Sequence, residues 1–112
     1  MRIINRHAII VKPQQPYWDW ANNLDDEPSL PEGMADEPPF YLLPECDDNA
    51  QFERWLKKNY LTIFENELHS WHQNENDWPA IRDYKTFRAW FEIEYGSEVF
   101  DLGSKPLVVE EM

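Results

Sequence analysis

"DDNAQFERWLKKNYLTIFENELHSWH", residues 47–72, is the stretch on which the fold turns. Phe52, Leu56, Tyr60, Ile63, Phe64 and Trp71 gather on one side of a helix, and charged and polar residues fill the other. The pattern predicts a helix over about 49–72. Asp48 stands at the N-cap position and Gln51 follows three residues later, a capping-box pattern with Asp replacing the usual Ser or Thr. "QNENDWP", 73–79, breaks the helix.

Toward the N-terminus, "FYLLP", 40–44, reads as a strand ended by Pro44. Before it, residues 25–39 hold four prolines, one glycine and six acids, the composition of a mobile acidic loop. "QQPYWDWANNL", 14–24, predicts a short helix with Pro16 in its first turn, where a missing N–H costs nothing. Tyr17, Trp20, Ala21 and Leu24 share one helical face, which assigns Trp20 to the core. Trp18 falls on another face and is free to be a rim residue or a contact. Ile3 to Val11, "IINRHAIIV", is rich in Ile and Val and predicts a strand stopped by Pro13. His7 shares a face with Ile9 and reads as a structural histidine at the sheet margin.

Toward the C-terminus, Tyr84, Phe87, Trp90, Phe91 and Tyr95 predict a third helix over about 80–95, with Gly96 as its stop. "SEVFDLG", 97–103, predicts a short strand, and "KPLVVEEM", 105–112, an edge strand or a loose tail. The order strand, helix, strand, helix, helix, strand is satisfied by an α+β fold, with about three strands and three helices packed on one face of the sheet. At 112 residues the chain is expected to form a single domain, 1–112, with its loop at about 25–39 and its tail from about 105.

Composition narrows the function classes. The chain has 22 acidic residues against 10 basic ones, a formal net charge of -12. Such a charge repels nucleic acid phosphates and anionic membrane surfaces, so neither is expected as a partner. It favours encounter with a basic protein. Cys46 is the single cysteine, which excludes an intramolecular disulfide and fits a reducing, cytoplasmic setting. "AIIV", 8–11, is too short for a signal-peptide core, and no run approaches the roughly 20 apolar residues of a membrane span.

Catalytic signatures are missing. Glu65, His69 and His72 form E-x-x-x-H-x-x-H, a weak metal candidate, since the helix places them in one sector that faces solvent. Asp25, Asp26 and Glu27 lack the spaced ligands of a calcium loop. Glu92 and Glu94, read on a helix, point apart and make no dyad. Glu45, Asp47 and Asp48 crowd Cys46 and oppose its thiolate. No serine stands in a nucleophile elbow, and three glycines cannot build a phosphate-binding loop. No cofactor is expected.

Three stretches, "INRHAIIVKPQQPYWDW" (4–20), "LKKNYLTIFENELHSW" (56–71) and "WFEIEYGSEVFDLG" (90–103), resemble a family of small acidic bacterial proteins without assigned activity. The resemblance covers most of the chain outside the acidic loop. It implies a cytoplasmic, single-domain bacterial protein and carries no site residue across.

The function expected from these readings is a protein–protein interaction module for a basic partner, of which an inhibitor- or immunity-like role is one form. Its contact candidates are Trp18, Asp25, Asp26, Glu27 and Trp78, because aromatic anchors dominate interface energy and acids steer the encounter. The alternative is a small metal-dependent or small-molecule-binding enzyme. A homodimer through the sheet edge or Trp78 is a third expectation.

Overall fold

The computed structural model describes residues 1–24 and 38–112. Asp25, Asp26, Glu27 and most of the expected acidic loop lie outside the described residues. In chain order the elements are β1 (Arg2–Ile3), β2 (His7–Pro13), α1 (Gln15–Asn22), β3 (Phe40–Leu43), α2 (Asn49–Trp71), a 3-10 turn (Glu75–Asp77), α3 (Tyr84–Trp90), β4 (Phe91–Gly96) and β5 (Phe100–Asp101). This is the α+β class.

Helix α2 forms where its period and cap place it. The Asp48 carboxylate accepts the Gln51 N–H at 2.8 Å, and the Gln51 side chain accepts the Asp47 N–H. The reciprocal box therefore closes one residue earlier than the usual pattern. At the far end His72 turns extended, with φ -149° and ψ 119°. Replacing Asp48 by Ala leaves one early N–H without its acceptor and is expected to cost about 1 kcal/mol in urea unfolding. An unchanged midpoint would mean that the cap contributes nothing.

The larger sheet has the order β3-β2-β4, all antiparallel, and a separate two-stranded ladder pairs β1 with β5. His7, Ile9 and Val11 of β2 face inward and are buried, and Leu43 of β3 joins them. Onto that face pack Leu56, Phe64 and Leu68 of α2, Phe87 of α3, Tyr17 of α1 and the β4 ring Phe91. Phe64, Phe87 and Phe91 sit with ring centroids 5.4–5.8 Å apart, within the range of favourable tilted and edge contacts. The opposite sheet face carries Phe40 and Leu42, 70% and 52% exposed.

The expected helix over 80–95 is corrected. Asp83 caps α3 by accepting the Thr86 N–H at 2.8 Å, but the helix stops at Trp90 and Phe91 turns extended. "FEIEYG", 91–96, then alternates apolar and acidic residues, which is strand periodicity. Its pairing with β2, from Ala8↔Gly96 to Pro13↔Phe91, supplies a ladder that a longer helix would forgo. Glu92 and Glu94 consequently share the outer sheet face, and do not point apart. Lys12 of β2 reaches Glu94 at 3.0 Å there. The first predicted strand is also divided: Ile4, Asn5 and Arg6 separate β1 from β2. The expected strand over 97–103 is reduced to Phe100–Asp101, and residues 102–112 hold no helix or strand.

Candidate binding groove

Five residues of α2, Trp55, Asn59, Thr62, Asn66 and His69, recur at i, i+4, i+7, i+11 and i+14. They form a stripe beside the buried face of the helix. Across from them lie Tyr41 and Leu42 of β3, and Trp78 from the segment after the 3-10 turn closes one side. The space between is a groove of about 560 Å³ that also touches Ile63, Glu65 and Met112. That volume is in the range of ligand-binding clefts.

The walls are held in place. Trp78 donates its indole N–H to the His72 carbonyl at 2.9 Å, and the Arg82 guanidinium lies 5.8 Å from its ring centroid. Trp20 of α1 donates to the Asp77 carbonyl at 2.9 Å, and Tyr60 of α2 to the Arg82 carbonyl at 3.1 Å. The segment carrying Trp78 is thus tied to two helices, and the ring is positioned before anything binds.

A polar network runs from the groove wall at Tyr41 and Asn66 down to the buried Glu67 and Tyr17. The Tyr41 hydroxyl bonds the Glu67 carboxylate and accepts from the Asn66 side-chain amide at 2.9 Å. Tyr17 donates to the Glu67 backbone carbonyl at 2.9 Å. Burial holds Glu67 above the ordinary carboxylate range, with the Tyr41 hydrogen bond working the other way. Burial first, and then the Glu67 charge, pushes the Tyr17 hydroxyl up. Tyr41 is raised chiefly by burial, with Glu67 adding to it and the Asn66 bond opposing it. Both tyrosines therefore remain neutral donors at pH 7.

A raised carboxyl pKa means that the folded state prefers the protonated acid. The associated stability is fully present below the unfolded pKa and is lost as pH rises through the folded value. The window opens at 4.5, the ordinary value, and extends upward. Glu67→Gln is expected to remove that downward slope while keeping an acceptor for Tyr41, read as unfolding free energy against pH. An unaltered slope would show that Glu67 is not its source.

Of the sequence candidates, Trp78, Glu65 and His69 meet at the groove. Trp18 is not part of its lining: it is half-buried, edge-on to Trp71 at 5.6 Å and to Tyr17 at 5.1 Å. The weak metal set is not assembled. Glu65 lies 3.8 Å from Arg82, His72 bonds Asp77 at 2.8 Å, and among the described residues no three His, Cys, Asp or Glu side chains converge as a metal site. His7 is pinned at the sheet end, its Nδ1 accepting the Cys46 backbone N–H at 3.3 Å and bonding the Tyr95 hydroxyl. The half-buried Cys46 thiol itself donates to the Pro44 carbonyl at 3.4 Å.

Glu67 and the groove were missed by sequence reasoning, although a signal for Glu67 existed. Glu67 stands at i+3 from Phe64 and i-4 from Trp71, an acid on the apolar stripe of α2.

No family model, curated protein or solved structure matches this chain. The resemblance to small acidic bacterial proteins rests on the three quoted stretches alone. No helix among the described residues is long and apolar enough to cross a membrane.

Proposed function

We propose that the protein is an interaction module that receives a basic segment of a partner protein in the groove between β3 and α2. The observation that carries this reading is an apolar, tryptophan-lined groove on a chain of net charge -12. Tryptophan side chains anchored in a desolvated groove are the usual sources of interface energy. The surrounding negative charge raises the encounter rate with a cationic partner and rejects anionic ones. Six of the acids and none of the bases fall in residues 25–37, so half of the net charge is carried by the stretch that leads into β3. An inhibitor- or immunity-like role in a cytoplasm is one form such binding takes.

Selection from a random peptide display library tests the reading. Wild-type protein should enrich peptides that combine Lys or Arg with large apolar residues, and their capture should weaken with added salt. Enrichment of acidic peptides, or of none, would overturn it. A second reading, a small-molecule site, is favoured by the groove volume and by the amides of Asn59 and Asn66 on its wall. A fragment screen that finds saturable ligands shifting those amides, with no peptide selected, would move the conclusion there.

A further inference from the structure

We infer that the partner enters the groove as an added β-strand, hydrogen-bonded along the free edge of β3. The inference rests on the interaction-module reading and specifies its geometry. Consecutive strand residues point to opposite faces of a sheet. A groove touched by both Tyr41 and Leu42 must therefore run along the strand's edge, where both side chains are reached at once. That edge is open. β3 is the outermost strand of the order β3-β2-β4, and among the described residues its backbone pairs with β2 alone. Every second N–H and C=O of Phe40–Leu43 points away from β2 and toward the groove.

The two outer edges of the sheet differ in chemistry. β4 carries Glu92 and Glu94, and the depression beside it is lined by Gln14 and Arg88 as well as Phe91. Charged residues of that kind are how natural sheets prevent pairing at an edge. β3 reads "FYLL" with no charge at all, and Pro39 and Pro44 flank it so that pairing is confined to the residues between. A strand laid there would send alternate side chains toward Trp55 and Trp78, and the others over Phe40 and Leu42. The occupant fitted by these surfaces and by the net charge of -12 is an extended segment with alternating apolar and basic residues, donated by another protein. A second copy of this acidic chain is disfavoured by its own charge; the chain's own tail reaches the groove through Met112, but the two residues before it, Glu110 and Glu111, are acidic and not basic.

The probe is a peptide of about ten residues alternating valine and lysine, made in two forms, one with every second amide N-methylated on the edge that would meet β3. Affinity is read by tryptophan fluorescence, and amide hydrogen exchange is followed at Phe40–Leu43. The expected result is saturable binding at low salt, exchange slowed ~10-fold or more at alternate β3 amides, and ~10-fold or greater loss of affinity on N-methylation. Equal binding of both forms without slowed exchange would overturn strand addition while leaving the module reading in place. Binding of neither form would remove the groove reading and the inference together. Slow exchange at β3 in the free protein, relieved by dilution, would assign the edge to a second copy. Slow exchange relieved only in Val108→Asp would assign it to the chain's own tail. Either of these last results overturns the proposal.

Discussion

Phe64→Ala is expected to lower the unfolding free energy by about 3–5 kcal/mol, measured by urea denaturation at neutral pH. Phe64 is fully buried and lies 5.5–5.8 Å, centroid to centroid, from Phe87, Trp90 and Phe91. It therefore joins α2 to α3 and to β4 at one point. Removing the ring forfeits its transfer energy and leaves a cavity that three rigid aromatic neighbours cannot collapse to fill. Domains of this kind hold only about 5–15 kcal/mol in total, so the variant should sit near its unfolding threshold at 37 °C. A loss below about 1 kcal/mol would show that the helices and sheet do not meet at this ring. Phe64→Leu, which keeps most of the volume, should recover a large part of the loss.

The second large effect concerns binding. Trp55→Ala and Leu42→Lys are each expected to weaken the selected basic peptides by about 30-fold or more, equivalent to about 2 kcal/mol. Trp55 supplies the broad apolar wall of the groove, so its truncation removes contact area directly. Leu42 is half exposed and occupies the free edge. A lysine there places a like charge against a cationic partner and reproduces the device by which sheets discourage pairing. Because Leu42 is exposed, its substitution should leave the urea midpoint nearly unmoved, which separates lost binding from lost folding. Full affinity in both variants would place the partner surface elsewhere, with Trp18 the next aromatic to test.

Much of this fold is local and could be read along the chain. The limits of α2 follow from Asp48 and from the recurrence of its apolar residues, because a helix satisfies its own backbone and needs only a cap and a face. β3 follows from its apolar run between prolines. The helix predicted over 80–95 went too far because Tyr84, Phe87, Trp90 and Phe91 keep helical spacing up to the point of change, whereas Ile93 and Tyr95 keep strand spacing after it. That choice was made by β2, more than 75 residues earlier in the chain, which offers "FEIEYG" a ladder. The Glu65–His69–His72 spacing was legible, but not that the three side chains stay apart, since His72 leaves the helix and turns to Asp77.

The amino-acid order by itself determined the α+β class, the long helix with its cap, the strand segment at 40–43 and the acidic balance. Each of these depends on period, propensity or composition over a few neighbouring residues. Only the tertiary structure decided that Trp55, Trp78 and Tyr41 face one groove, that Glu67 lies beneath it, and that β3 ends the sheet, its backbone pairing among the described residues with β2 alone. Those facts depend on which strand is central and on where the 72–83 segment is tied. They are set by long-range hydrogen bonds and packing that no local pattern encodes.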